Sequence, residues 1–225
     1  MATKRRRKRK SRLGNRLRLT LFPLSLLILV VLPFFLLIRT SVFLYGVARL
    51  NTWLALALGM VLTSACLLFY TQYAYKKLFR KRRIKKKVKK YNLRLAAAVV
   101  VVYCASALIY VSSVNVKAQR IRNEYTALHP LLRIAVSSVV LADADLVITD
   151  MARTHGDYKR MRLQTMRRSL HYRQRDQYVH AVDLRTTGQS EWRNSLLIWY
   201  FDLMGLRTLR HVGTADHLHV SLPLP

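Results

Sequence analysis

The segment "HVGTADHLHVSL" near the C-terminal end of the chain contains three of the seven histidines of the protein. His217 and His219 are two residues apart, and side chains at that spacing point to the same face of a β-strand. Two neighbouring imidazoles can both bind a metal ion, or one can bind it while the other accepts a proton. The segment predicts a metal centre or an acid–base site; two surface histidines on an edge strand are the alternative.

A second candidate is Asp183, a charged residue in the apolar stretch "AVDL" of a predicted strand. A carboxylate buried among apolar side chains is costly unless it is paired with a cation or bound to a metal. Asp183 is therefore a candidate metal ligand, and a salt bridge to one of the many arginines is the alternative.

The elements that must position these residues form a small α+β unit with an antiparallel sheet. Pro130 suits the first turn of one helix, while Ser190 and Gly205 suit the start and end of another. Predicted strands cover 145–152 and 180–186, and a hairpin turns around Gly213 in "RTLRHVGTADHLHVSL".

For several other residues of this unit the sequence predicts a structural position and no catalytic or metal-binding role. The polar stretch 153–170 is predicted to be a surface loop. His129, before the proline of the first helix, is predicted to be solvated. Trp192 and Trp199 recur at helical spacing and are predicted to be core residues.

The N-terminal half of the chain has the composition of a membrane protein. Lys and Arg number 40 against 10 Asp and Glu, yet 52% of the residues are hydrophobic. Three apolar runs, 19–38, 52–75 and 95–114, each have about the twenty residues needed to cross a hydrocarbon core. They predict three transmembrane helices within a region covering 19–114.

The basic residues predict the orientation of these helices. They are concentrated in a tail, 1–18, and in a loop, 76–94, and short Lys/Arg-rich segments stay on the cytoplasmic side. Three crossings from a cytoplasmic N-terminus place residues 115–225 outside as an extracytoplasmic domain.

The same basic segments indicate a partner at the cytoplasmic face. Anionic lipid headgroups attract such clusters by about 1 kcal/mol per charge. Nucleic acid binding is disfavoured because no aromatic residues interleave with the charges and no folded module supplies base readout.

Four motifs follow one another over residues 146–221: "LVITDMART", "SLHY", "AVDLRTTG" and "LMGLRTLRHVGTADHLHVSL". In this order they resemble the zinc D-alanyl-D-alanine peptidases and murein endopeptidases of the LAS metallopeptidase superfamily. The resemblance implies a Zn²⁺ enzyme that cleaves D-amino-acid-containing peptides of bacterial peptidoglycan, with zinc-bound water attacking the scissile carbonyl. The substrate that it implies lies outside the bacterial cytoplasmic membrane, on the side where the charges place the domain. Together with the three apolar runs, this predicts a multi-pass protein of that membrane.

The resemblance implies a role for each matching residue. His171, Asp183 and His219 correspond to the zinc ligands. His217 corresponds to the histidine that helps to deprotonate the attacking water. Arg153 corresponds to the arginine that contacts the substrate or stabilises the developing oxyanion.

The spacing of the first ligand departs from the family pattern. Eleven residues separate His171 from Asp183, where the family has six, and Val179 stands where the family has glycine. The ordinary spacing would end at residue 178, which is a tyrosine, and the nearest acid is Asp176. Either a loop is inserted after His171, or His180 replaces it as the ligand. His171 is preferred because His180 and Asp183, three apart on one strand, face opposite sides.

Two alternatives to a peptidase remain open. The chain is a catalytically inactive peptidoglycan-binding or assembly protein if the insertion has removed the metal site from the same fold. It is a membrane interaction protein if the basic segments bind lipid or nucleic acid and the outer domain is accessory. If it is a peptidase, the sequence leaves open whether it is a carboxypeptidase, a dipeptidase or an endopeptidase.

Overall fold

The computed structural model of the protein describes residues 31–78, 86–160, 164, 168–213 and 216–224. The basic tail 1–18 and part of the basic loop lie outside these residues. The helices are α1 (Val31–Gly46), α2 (Thr52–Leu78), α3 (Lys86–Ile109), α4 (Gln119–Asn123), α5 (Pro130–Ala142), α6 (His155–Arg160) and α7 (Glu191–Leu203). The strands are β1 (Ile148–Asp150), β2 (Ala181–Arg185), β3 (Arg207–His211) and β4 (His217–Ser221).

Within the described ranges, two helices are long and apolar enough to cross a membrane: Thr52–Tyr75, inside α2, and Lys86–Ile109, which is α3. The first apolar run, 19–38, is described only from its residue 31 onward. There α1 continues to Gly46, beyond the predicted end of the run. The three-helix count and the side on which the domain lies therefore stay predictions.

The predicted basic loop 76–94 is partly helical, because α3 begins at Lys86. Lysine and arginine are good helix formers, so the charge in this segment does not interrupt the helix. The connection between α1 and α2 covers only residues 47–51, because α1 continues through Arg39 as far as Gly46.

The C-terminal half contains the expected antiparallel sheet, with four strands in the order β1-β2-β4-β3 among the described residues. The helix that begins at Pro130 and the hairpin formed by β3 and β4 are both confirmed. Ser190 caps α7 by accepting a hydrogen bond from the Arg193 N–H at 3.3 Å. Gly205 follows α7 with a φ of +87°, a conformation that favours glycine. The predicted loop 153–170 differs, since it includes the short helix α6.

The two faces of this sheet have different environments. On one face, Val182, Leu218 and Val220 are fully buried. Helix α7 covers that face: Arg210 of β3 binds Glu191, and Thr208 of β3 binds Asp202. Asp183, His217 and His219 alternate with the buried residues and therefore lie on the opposite face, away from α7.

Helix α5 joins the sheet to the membrane-type helices in one continuous core. Tyr103 of α3 donates a hydrogen bond to the carbonyl of Ile134 at 3.2 Å, and Tyr125 donates to the carbonyl of Ala107 at 3.0 Å. The core is therefore continuous across residue 115, the predicted domain boundary. For this reason the full chain, and not a fragment, is the form of the protein to test.

Two burial predictions are wrong. Trp192 and Trp199 are 73% and 64% exposed, because the stripe of α7 that faces the core consists of Asn194, Leu197 and Phe201. His129, predicted to be solvated, is fully buried.

Candidate metal centre

Three side chains converge on the open face of the sheet. Asp183 of β2 lies directly opposite His219 of β4, and His171 approaches them from the loop before β2. His219 Nδ1 lies 2.9 Å from Asp183 Oδ1, and His171 Nε2 lies 3.2 Å from His219 Nδ1. The third side of this triangle, from His171 Nε2 to Asp183 Oδ1, is 3.4 Å. Strand pairing and the loop before β2 thus bring together the three residues that the motif order predicts as ligands.

The size of this triangle fits a zinc ion. Tetrahedral zinc binds nitrogen and oxygen at about 2.0–2.2 Å, which places neighbouring ligand atoms about 3.3 Å apart. The measured separations of 2.9, 3.2 and 3.4 Å differ from that value by only a few tenths of an ångström. Three protein ligands would leave a fourth position for a water or a substrate, as in catalytic zinc sites.

The hydrogen bonds of His171 prepare it to bind a cation. Its Nδ1 lies 2.5 Å from the carbonyl oxygen of Met151, which can only accept, so Nδ1 carries the proton. The lone pair of Nε2 therefore points into the cluster. The backbone fixes the residue further, since the Arg153 N–H donates to the His171 carbonyl and the His171 N–H donates to Ser169 Oγ.

Asp183 is held as a charged group. Burial raises the pKa of this carboxyl, but its contacts with His171 and His219 and the charge of Arg153 outweigh burial and hold the pKa well below its usual range. A metal ligand must be deprotonated, and Asp183 meets that condition at any ordinary pH. His219 Nδ1 lies between two acceptors, so a cation bound here would replace its proton.

Arg153 bridges two carboxylates beside the triangle. Its Nη2 donates to Asp183 Oδ2 at 2.5 Å, and its Nε donates to Asp150 Oδ2 at 2.7 Å. A β-bulge between Ile148 and Asp150 places Asp150 opposite Asp183 rather than on the buried face of Ile148. Asp150 is not among the residues that the sequence predicts for this site, because the stretch "ITDM" has no glycine or other signal of a bulge.

His217 lies at the rim of the cluster. Its Nε2 is 3.8 Å from Asp183 Oδ2, and its side chain is 25% exposed. Its ring stacks on that of His211 with the centroids 4.7 Å apart. Burial and the neighbouring imidazoles of His217 and His219 lower the pKa of His211. His217 therefore lies between solvent and the three candidate ligands.

His180, the alternative to His171, belongs to a different cluster on the helix side of the sheet. Its Nε2 lies 2.8 Å from Asp176 Oδ2, and His129 Nε2 lies 3.7 Å from the same oxygen. His180 and His129 are both fully buried. The structure thus brings His171, and not His180, to Asp183.

This second cluster also has the ligand types for a metal ion, but its hydrogen bonds favour a different role. His129 Nδ1 accepts from the Leu131 N–H, so Nε2 must carry the proton and donates to Thr52 Oγ1 at 3.0 Å. Burial and the neighbouring His180 lower the pKa of His129 to about 2, so the ring stays neutral. With the His180–Asp176 hydrogen bond, these contacts tie the loop before β2 to the start of α2. We call this set, His129, His180, Asp176 and Thr52, the clasp.

Replacing Asp176 with alanine is expected to destabilise the protein by about 1–3 kcal/mol, because the buried Nε2–H of His180 loses its acceptor. The midpoint of thermal unfolding of the detergent-solubilised chain should fall accordingly. Asp145→Ala, at an exposed position, is the control and should leave the midpoint unchanged. Equal midpoints for both variants would show that the clasp contributes nothing to stability.

The sequence matches no protein-family model and no curated protein, and the fold matches no solved structure. The motif resemblance therefore stays a prediction, and the case for the site depends on the geometry of its own residues.

Proposed function

We propose that this chain is a membrane-anchored zinc peptidase that cleaves D-amino-acid-containing peptides of bacterial peptidoglycan outside the cytoplasmic membrane. The observation that carries the proposal is the triangle formed by His171, Asp183 and His219, whose sides of 2.9–3.4 Å suit tetrahedral zinc. The order of the four motifs over residues 146–221 supports the choice of substrate.

The residues around the triangle provide the remaining chemistry of peptide hydrolysis. Zinc would act there as a Lewis acid that polarises the scissile carbonyl. His217, at the solvent-facing rim, accepts the proton of the attacking water. Arg153 keeps a positive charge beside the cluster, where it opposes the negative charge that develops on the carbonyl oxygen.

The proposed location follows from the helices and the charges. Two described helices can cross a membrane, and the basic segments 1–18 and 76–94 favour a cytoplasmic position beside anionic lipid. With the first apolar run as a third crossing, the sheet lies outside. Peptidoglycan is found on that side, so the location and the proposed substrate agree.

His217→Ala tests the catalytic part of the proposal. We expect the variant to bind zinc like the wild type but to lower kcat by about 10²–10⁴, because it lacks the proton acceptor. The assay incubates the zinc-loaded full chain in detergent with peptidoglycan peptides that end in D-Ala-D-Ala, and with cross-linked ones, and identifies products by mass spectrometry. If the folded, zinc-loaded wild type leaves every such peptide intact, the proposed peptidase activity is wrong.

One observation favours the alternative of a catalytically inactive peptidoglycan-binding or assembly protein. Asp183 already has partners for both oxygens, with His219 on Oδ1 and Arg153 on Oδ2. The cluster is therefore also satisfied without a cation. The two functions differ in zinc content, since a protein of the second kind binds wall peptides without needing the metal.

A further inference from the structure

Helix α7 presents an apolar stripe to its surroundings. Trp192, Leu196, Trp199 and Leu203 follow one another at spacings of four, three and four residues, so they lie on one face of the helix. Both tryptophans are more than half exposed, and Leu196 and Leu203 are exposed as well. A continuous patch of large apolar side chains on a protein surface marks a site of contact with another apolar phase or partner.

The charged groups near this stripe are occupied elsewhere. Arg193 binds Asp143 through two hydrogen bonds of 2.6 and 2.7 Å. Glu191 is paired with Arg210 of β3, and Asp202 accepts a hydrogen bond from Thr208, on the sheet side of the helix. The stripe therefore has neither the cations that a nucleic acid or an acidic polymer would require nor unpaired carboxylates that would oppose burial in lipid.

The C-terminal half of α7 lies beside the membrane-type helices. Tyr200 donates to the carbonyl of Ala135 in α5, and the same stretch of α5 is held by Tyr103 of α3. Gly205, just after α7, is so close to Arg39 and Val42 of α1 that a Cβ atom at this position would lie 3.3 Å from Val42 Cγ1.

These contacts indicate the depth of the helix. Arg39 directly follows the apolar run 19–38, and Gly205 lies against it at the end of α7. The C-terminal end of α7 is thus at the level where this apolar run ends, and tryptophan is enriched at that level of membrane proteins. A helix with an apolar face of this kind lies in the plane of the interface, with that face buried about 5–10 Å into it.

We propose that the face of α7 formed by Trp192, Leu196, Trp199 and Leu203 inserts into the lipid interface on the outer side of the membrane. This inference requires the membrane location of α2 and α3 but not the peptidase activity. Because α7 covers the sheet face opposite Asp183 and His219, its insertion would turn the candidate metal centre away from the bilayer, toward the wall.

Quenching of single tryptophans by brominated lipid tests the insertion. The chain contains three tryptophans, and Trp53, at the outer end of α2, serves as an internal reference. One full-length variant keeps only Trp199, a second keeps only Trp53, and the others become phenylalanine. Each is reconstituted in vesicles of phosphatidylcholine brominated on its acyl chains. A third variant lacks all three and carries Leu209→Trp, on the exposed face that bears His219.

We expect Trp199 to lose fluorescence to a degree comparable with Trp53, and the tryptophan introduced at position 209 to be unaffected. If Trp53 is quenched and Trp199 is not, α7 does not contact lipid and the inference is wrong, while the membrane location of α2 stands. A blue-shifted Trp199 that is not quenched would identify a protein as the partner of this face and would also overturn it. Absence of quenching at both positions would contradict the membrane location itself, and the inference with it.

Discussion

His219→Ala is expected to abolish zinc binding by the full chain, whereas His180→Ala is expected to retain it. The difference follows from position: His219 Nδ1 is 2.9 Å from Asp183 Oδ1, but His180 lies on the opposite side of the sheet with Asp176. Loss of a residue that only supports a ligand lowers metal affinity by about 10–100-fold, and loss of one of three ligands should cost more. The measurement is zinc per chain after equilibration with a weak chelator.

His171→Ala and Asp183→Ala should behave like His219→Ala. His180→Ala is the matched control for His171→Ala, because each removes a buried imidazole. Circular dichroism should confirm that every variant is folded. Retention of zinc by His171→Ala together with its loss in His180→Ala would show that the first ligand has been misassigned.

The second large effect is expected for Arg153→Ala, which should destabilise the metal-free protein by about 3–5 kcal/mol. Arg153 is mostly buried and is hydrogen-bonded to Asp183 and Asp150. Its removal leaves the buried Asp183 without an arginine partner, while Asp150 keeps only Arg120, at 3.5 Å. Zinc bound to Asp183 would replace part of the lost charge. We therefore expect a smaller loss of stability in the presence of zinc than in its absence.

The midpoint of thermal unfolding, measured with and without zinc, tests this expectation. Arg160→Ala is the control, because Arg160 is 77% exposed and its ion pair with Asp157 should contribute less than about 1 kcal/mol. A decrease for Arg153→Ala no larger than that of Arg160→Ala would rule out the bridging role. An equal decrease with and without zinc would mean that the metal does not bind next to Asp183.

Arg153→Lys separates the two roles proposed for the arginine. Lysine keeps the charge but lacks the planar fork that reaches Asp150 and Asp183 together. If the arginine acts mainly by fixing the ligand Asp183, zinc affinity should fall. If it acts mainly on the oxyanion, kcat should fall while zinc affinity is maintained.

The sequence predicts much of the site because strand alternation is a simple rule. His217 and His219 share a face, and Asp183 stands opposite His219 on the neighbouring strand. The order of the motifs added His171, which no local periodicity could identify. Asp150 could not be predicted, because its position depends on a bulge that the sequence does not mark.

The exposed tryptophans of α7 illustrate a second limit. Helical periodicity shows that Trp192 and Trp199 share a face with each other, but α7 has apolar residues on two faces. The face that packs on the sheet is the one with Leu197 and Phe201, a choice made by the tertiary structure.

The clasp shows a third limit. His129 begins a helix, and a polar residue there is most simply solvated. Its burial follows from contacts between distant segments, with Thr52 of α2 and with the loop that contains Asp176. The lengths of the apolar runs identify helices that can cross a membrane. They do not show that α5 packs against α3 and continues the core into the sheet.

The most direct test of the zinc centre is X-ray absorption at the zinc edge of the full chain loaded with one equivalent of the metal. We expect only nitrogen and oxygen ligands at about 2.0–2.2 Å, with the outer scattering of two imidazoles, and loss of this signal in His171→Ala. A folded wild type that binds no zinc, or a sulfur ligand at about 2.3 Å, would contradict the assignment of His171, Asp183 and His219 as the metal site.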